Sequence, residues 1–235
     1  MISNLDTNRS FLYGDGFFET FKLIDGKCER LDLHYQRIIQ SISVLKMVWN
    51  KEWTQTFFEE KLKAESKNFE VPILKVRIIF YRDSKGTYTP ETDLANYYIK
   101  IEPYTPTNKT ILKAGLYTLA KKPVNFLSGL KSTSCLMFVM AAKYAKEMGW
   151  DEVIFLNEYG RVCEALTSNI FIKKEEIFYT PPLSEGCIDG VNRRAFLSEN
   201  KNIIQKPIEV EELKNYQIYF SNAVRGMIAG ELIYD

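Results

Sequence analysis

The sequence predicts a two-domain α+β protein. Runs rich in β-branched and aromatic residues, with alternating polarity, are interspersed with amphipathic stretches at helical spacing in both halves of the chain. A polar stretch with two prolines, PYTPTNKT at 103–110, separates the halves. The 235 residues are enough for two modest cores. The expected divisions are a small N-terminal α+β domain over 1–103, a linker over 104–110, and a larger, largely antiparallel, β-barrel-like α+β domain over 111–235.

The first half opens with FLYGDGFFETFKL, residues 11–23, which reads as a glycine loop running into an aromatic strand. Gly14 and Gly16 lack the third glycine of a dinucleotide fingerprint, because Glu19 stands in its place. They therefore read as a tight loop with unusual backbone angles. Asp25-Gly26 is a hairpin turn of the kind two-residue loops prefer. Asp32 is expected to cap a helix that runs to about Val48, with Leu31, Ile38, Ile42 and Leu45 at helical spacing. His34 and Arg37, three apart, share one face of it. A second helix is expected over 51–66, and strands over 73–81 and 97–101, with a glycine turn at 84–86 between them.

In the second half a strand is expected at 113–119, an irregular connection at 123–129 and a helix over 134–148 stopped by Gly149. Strands follow at 151–156, 162–172 and 176–179, and Pro181-Pro182 breaks the last. Asp189-Gly190 leads into a helix over 191–199. Strands at 203–210 and 216–221 and the loop SNAVRG, 221–226, complete the pattern.

Composition excludes several function classes. The net charge of +1 gives no electrostatic case for nucleic acid or an anionic membrane as partner. The N-terminal MISNLDTNRS is polar, and no apolar run approaches the roughly 18 residues of a membrane span, so a cytoplasmic protein is expected. Cys28, Cys135, Cys163 and Cys187 form no C-x-x-C pair and read as reduced thiols. With one histidine, His34, no metal site is expected, and no Ser-His-Asp or Cys-His mechanism can be built unless His34 serves.

Four features stand out from a mere scaffold. Lys131 lies at the entrance to a helical pattern. Glu164 lies in a strand among Val162, Cys163, Ala165 and Leu166. The turns at 189–193 and 221–226 offer backbone N–H groups, and His34-x-x-Arg37 lies on one helix face. Singly, each is ordinary, since most lysines and strand glutamates are solvated. Together they suit a pyridoxal 5'-phosphate site. A desolvated lysine can form a Schiff base and later carry a proton. A carboxylate beside the pyridine nitrogen keeps it protonated. A helix N-terminus, a backbone nest and an arginine hold the phosphate.

The order of these pieces resembles the class IV, fold-type-IV pyridoxal-phosphate enzymes: branched-chain aminotransferases, D-amino-acid aminotransferases and aminodeoxychorismate lyases. The resemblance runs from YGDGFFET (13–20) to SNAVRG (221–226). It is most specific at Lys131 with the helix after it, DEVIFLNEYGRVCEALTSNIF (151–171), TPPL (180–183) and GCIDGVNRRAF (186–196). It implies that Lys131 forms the Schiff base and is the catalytic residue, and that Glu164 pairs with the pyridine nitrogen. It assigns Arg37, Val191, Asn192, Asn222 and Ala223 to the phosphate. It implies a site between two domains in a homodimer, with Tyr13 and Phe18 lining the substrate pocket, and it points to Arg77 for the substrate. Arg82 and Arg225 are candidates for a substrate carboxylate.

The resemblance leaves the reaction open between two outcomes. A tyrosine that transaminases often carry five residues past the lysine is Leu136 here. Glu19 stands where lyases often have threonine, and Thr87 where some lyases have a substrate-binding arginine. Those positions and Arg77 favour an aminotransferase moving an amino group between an amino acid and a 2-oxo acid. The stretch KLIDGKCERLDLHYQRI (22–38) and the short length look more like 4-amino-4-deoxychorismate lyase, which releases pyruvate and 4-aminobenzoate. A catalytically silent pyridoxal-phosphate-binding protein is the third alternative, and retention of both Lys131 and Glu164 argues against it.

Overall fold

The computed structural model describes residues 5–233. The chain forms two compact units, one running to Pro106 and taking in Leu130–Cys135, the other made of Thr107–Gly129 and the chain from Leu136 onward. The division falls inside the 104–110 stretch expected as a linker. Leu130–Cys135, expected with the second domain, packs with the first.

The first unit contains α1 (Arg9–Tyr13), β1 (Gly16–Ile24), β2 (Lys27–Cys28), α2 (Leu31–Val44), α3 (Gln55–Ser66), β3 (Ile73–Arg82) and β4 (Ala95–Pro103). Its sheet has the order β2-β1-β3-β4 and every pairing is antiparallel. Asp25 and Gly26, at φ 50° and 76°, make the turn between β1 and β2, in the conformation that matches strand twist. The glycine loop expected before β1 is short, with Gly14 at φ 68°, and it is preceded by a helix that was not expected, α1. The Asn8 side chain accepts from the Phe11 N–H at its start, and left-handed Gly14 closes it. Asp32 does not cap α2. The cap position is Arg30, without a side-chain bond, and Asp32 sits in the first turn, where a carboxylate favours the helix dipole. The helix stops at Val44 rather than Val48, and Lys46 then adopts φ 52°. Thr54 caps α3 through the Phe57 N–H.

Strand alternation divides the two faces of this sheet. Phe17, Phe21, Leu23, Val76, Ile78 and Phe80 are buried on one face with Ile38 and Ile42 of α2 and Phe58 and Leu62 of α3. Phe80 stacks on Phe17 at 4.9 Å between ring centres and meets Phe58 at 5.9 Å. The alternate residues, Phe18 and Thr20 of β1 and Arg77 and Ile79 of β3, share the other face, with Phe18 opposite Ile79 and Thr20 opposite Arg77.

The second unit contains β5 (Ile111–Lys122), α4 (Leu136–Met148), β6 (Glu152–Asn157), β7 (Val162–Ala165), β8 (Asn169–Lys174), β9 (Ile177–Thr180), α5 (Val191–Glu199), β10 (Ile203–Gln205), β11 (Gln217–Asn222) and β12 (Gly226–Leu232). They form one sheet in the order β10-β9-β8-β11-β12-β5-β6-β7. The sheet is mixed rather than largely antiparallel. The pairs β9/β10, β5/β12 and β5/β6 are parallel, and α4 is the crossover that parallel β5 and β6 require. The strand expected over 162–172 is two strands, because Ala165 donates to the Ser168 carbonyl and turns the chain between β7 and β8. The strand expected over 203–210 ends at Gln205, and Pro207 lacks the N–H that a ladder needs. β12 follows the 221–226 loop, where no strand was expected.

Helix α4 lays Ala141 and Ala145 over Tyr117, Val153 and Phe155, with Trp150 closing the layer. Gly115 has no side chain for a packing reason: a Cβ there would lie 2.1 Å from the Trp150 ring. A second cluster holds Leu112, Ile154, Ile170, Ile218 and Phe220 with Ile208 and Leu213. Among the described residues, no helix is long and apolar enough to cross a membrane.

Candidate active site

Lys131 is held by backbone bonds to β1. The Phe18 N–H donates to the Lys131 carbonyl at 2.9 Å, and the Thr133 N–H donates to the Gly16 carbonyl at 3.0 Å. The Thr133 hydroxyl donates to the Gly14 carbonyl at 2.9 Å. A side chain at Gly14 would crowd Ser134 at 3.1 Å and would need φ 68°. Lys131 therefore lies beside a strand, and α4 begins only at Leu136.

This pairing brings the Lys131 ammonium over the Phe18 ring, with Nζ 4.6 Å from its centre. Arg77 of β3 lies over the same ring, with Cζ at 4.0 Å. The aromatic face attracts both cations. Arg77 Nε is buried with no hydrogen-bond partner, which an anion would supply. Tyr13 lies at the end of α1. Its hydroxyl donates to the Gly86 carbonyl at 3.4 Å, and the Arg9 guanidinium covers its ring.

Arg37 is on α2 and meets the β1 residue Glu19. Nε donates to Oε1 at 2.7 Å and Nη2 to Oε2 at 2.6 Å. His34 Nδ1 is 2.6 Å from Oε2 of the same carboxylate. Burial opposes the charge on Glu19, but Arg37 and the His34 hydrogen bond outweigh it and draw its pKa from 4.5 down to about 2. Glu19 thus faces α2, while Phe18 and Arg77 take the other face of the sheet. His34 is engaged as a buried partner of Glu19. Arg82 is fully engaged: Nε donates to Asp15 at 2.9 Å, Nη2 to the Leu45 carbonyl at 2.7 Å, and Nη1 pairs with Asp93. That set makes Arg82 a tie between the end of β3 and the loops around it.

In the second unit Glu164 of β7 is 2% exposed. Its Oε2 accepts from the Ile188 N–H at 2.8 Å. Its Oε1 pairs with the Lys122 ammonium, which also donates to the Ser128 carbonyl at 3.1 Å. Sequence reasoning missed Lys122. It ends β5 beyond a register shift between Tyr117 and Lys122, so the alternation of the strand does not carry through to it.

Helix α5 begins at Val191, and no side chain caps it. Its first turn is tied to the β11–β12 turn, because Asn192 Nδ2 donates to the Asn222 carbonyl at 2.7 Å. Asn222 Oδ1 accepts from the Val224 and Arg225 N–H groups at 3.0 and 2.8 Å, and Nδ2 reaches the Thr167 carbonyl at 3.2 Å. Ala223 stands in the same turn. Arg225 is turned inward, pairing with buried Glu152 and donating to Thr167 Oγ1 at 2.8 Å and Ser168 Oγ at 3.0 Å. Within the second unit, two features suit pyridoxal phosphate: a buried carboxylate fixed at both oxygens, and a helix start uncapped by any side chain, where backbone N–H groups and the dipole favour phosphate.

The chain belongs to the class IV aminotransferases: the family model "Amino-transferase class IV" matches residues 16–233. It is an enzyme of a pyridoxal-phosphate-dependent family whose relatives include both aminotransferases and an aminodeoxychorismate lyase. It is 29% identical over 202 residues to an aminodeoxychorismate lyase of Bacillus subtilis, covering 83% of this chain and 68% of the relative. It is 23% identical over 231 residues to a D-alanine aminotransferase of Staphylococcus haemolyticus, covering 88% and 75%. Among solved structures, a branched-chain aminotransferase from Thermoproteus uzoniensis superposes with a TM-score of 0.85 at 23% identity, over 97% of this chain and 81% of that one, a likeness of fold.

Proposed function

We propose that the protein binds pyridoxal 5'-phosphate and transfers an amino group between an amino acid and a 2-oxo acid. The observation that carries this reading is the pairing of Lys131 and Arg77 over one ring, with Nζ at 4.6 Å and Cζ at 4.0 Å from the centre of Phe18. An α-amino acid carries its carboxylate one carbon from its amine, so an amine-handling lysine and an anion-seeking arginine on one patch match it. When bound, the cofactor supplies an electron sink for the pair left as a substrate Cα–H bond breaks. Lys131 is the covalent anchor of the cofactor. Once freed by the substrate amine, its Nζ would take the Cα proton as general base and pass it to the carbon on the far side of the amine nitrogen. Glu164 holds the proton of the pyridine nitrogen. The start of α5 and the 222–225 turn, with Arg37, hold the phosphate. Tyr13 and Phe18 line the substrate pocket.

The second reading is cleavage of 4-amino-4-deoxychorismate to pyruvate and 4-aminobenzoate. It is favoured by the likeness to the Bacillus subtilis lyase. It uses the same lysine and glutamate and differs in the pocket.

The active form is a homodimer. Leu136, Val139 and Met140 lie at helical spacing on α4 and are exposed, Leu136 by 74%, and Phe126 in the same unit is 78% exposed. Such an apolar face suits a second copy. The four free cysteines suit the reducing cytoplasm.

The test loads purified protein with pyridoxal phosphate, reduces it with borohydride and locates the adduct by mass spectrometry. The adduct is expected on Lys131, and an unmodified Lys131 would refute the cofactor reading. Parallel assays of amino-acid and 2-oxo-acid pairs and of pyruvate release from aminodeoxychorismate then decide the reaction. No turnover in either, with cofactor bound, would mean a silent binding protein.

A further inference from the structure

Lys122 is 5% exposed, and lysines are rarely buried that deeply unless paired. Its ammonium has three hydrogens to place. One goes to Glu164 Oε1 and one to the Ser128 carbonyl, and Nζ stands 5.7 Å from the centre of the Phe138 ring. Burial works against the charge, but the Glu164 charge and hydrogen bond outweigh it, and the pKa of Lys122 is raised. The Ile188 N–H fixes only Oε2 of Glu164. Lys122 fixes the other oxygen and with it the plane of the carboxylate, leaving lone pairs for one further donor.

We propose that Lys122 is a positioning residue that keeps Glu164 an oriented carboxylate for the cofactor's pyridine nitrogen, so that the proton on that nitrogen depends on Lys122. This rests on the cofactor reading above. A glutamate buried without a cation has its pKa raised and becomes a neutral acid, which no longer favours a protonated ring. The other ionisable groups around the pair do not replace Lys122. Burial raises the Cys163 thiol pKa far above neutrality and pushes Cys187 up to about 12, so both stay uncharged. Glu185 is paired with Arg161, Asp189 with Arg194, and Arg193 is bound to the Pro181 carbonyl and Gln205.

The experiment compares wild type with Lys122→Met, Lys122→Arg and the double variant Lys122→Met/Glu164→Gln. Thermal stability of the cofactor-free proteins is measured from about pH 5 to about pH 8. In Lys122→Met an ionised Glu164 carboxylate would be buried without its cation, so the variant should lose stability as pH rises. The deficit against wild type should therefore widen towards high pH, whereas the double variant should show a deficit that does not vary with pH. A pH-independent deficit in Lys122→Met would overturn the pairing.

The second measurement is affinity for pyridoxal phosphate and for its deaza analogue, which lacks the ring nitrogen, by quenching of intrinsic fluorescence. Lys122→Met should weaken pyridoxal phosphate roughly tenfold or more, the usual cost of removing a group that orients a ligand-binding side chain. Binding of the deaza analogue should hold, and Lys122→Arg should restore most of the lost affinity. Equal losses for both compounds would overturn the assigned role. Wild type that binds neither would overturn the cofactor reading itself, and the pH profile of the cofactor-free variants would still decide the ion pair.

Discussion

Glu19 and Arg37 bind each other through two parallel contacts, Nε to Oε1 at 2.7 Å and Nη2 to Oε2 at 2.6 Å, with His34 on the same carboxylate. The Glu19 pKa is lowered to about 2 because Arg37 and His34 outweigh burial. A depressed carboxylate pKa contributes stability above its unfolded value and loses it as pH falls. Wild-type stability should therefore decline on acidification from about 4.5 towards about 2. Glu19→Gln should lack most of that decline and be less stable at neutral pH by roughly 3 kcal/mol, the cost of leaving a buried guanidinium without its counterion. Chemical denaturation across pH checks this. Because Arg37 is the guanidinium set loose, the variant should also weaken pyridoxal phosphate more than phosphate-free pyridoxal.

Arg77 makes the opposite trade. Its Nε is buried without a partner, and an unsatisfied buried donor costs about 1–3 kcal/mol. Arg77→Met keeps much of the stem that covers Phe18 and removes that donor. Melting temperature of the cofactor-free protein should stay level or rise. KM for the acid substrate should rise roughly 10- to 100-fold, the worth of a charge-assisted bond, with kcat changed less. An unchanged KM would remove Arg77 from the substrate site.

How much of this was legible in the sequence depends on range. Asp25-Gly26 and the α5 start after Gly190 were readable because turn and helix-entry signals lie within a few residues. Lys131 and Glu164 drew attention through their order among neighbouring elements. The break between β7 and β8 was not readable, because Leu166–Ser168 carries no glycine or proline to mark a turn. Helix α1 is five residues long, too short to show a period. The partner of Glu19 lies 18 residues away on α2, and that of Glu164 lies 42 residues away on β5 beyond a register shift. Pairings of that span are set by tertiary packing, and a buried lysine looks in sequence like any solvated one.

Gly190 offers a test of the phosphate end. A Cβ there would lie 1.9 Å from Asn169 Oδ1. The same asparagine donates to the Ile188 carbonyl at 2.8 Å, and the Ile188 N–H holds Glu164. Gly190→Ala should displace Asn169, costing about 1–3 kcal/mol as overpacking does. It should disturb both the start of α5 and the seat of Glu164. The expected readout is weaker binding of pyridoxal phosphate together with a lower melting temperature. Asn169→Ala combined with it should recover part of the stability by clearing the clash.

Arg225 separates two roles that one residue cannot easily combine. A substrate-carboxylate arginine would show a raised KM on removal, with the fold intact. The contacts of Arg225 point elsewhere: it pairs with Glu152, which is fully buried, and donates to Thr167 and Ser168. Glu152 also accepts from the Thr167 N–H at 3.0 Å, and Asn222 reaches Thr167 from the neighbouring turn. Removing the guanidinium leaves a buried carboxylate with neutral donors only. Arg225→Met should therefore cost about 3–5 kcal/mol, and the double variant with Glu152→Gln should regain a good part of it. The 222–225 turn would loosen, so dissociation of pyridoxal phosphate should quicken while KM for the amino acid, measured at saturating cofactor, stays within about twofold, since a positioning change that spares the pocket leaves substrate binding alone. Stability unchanged with KM raised would return Arg225 to the substrate.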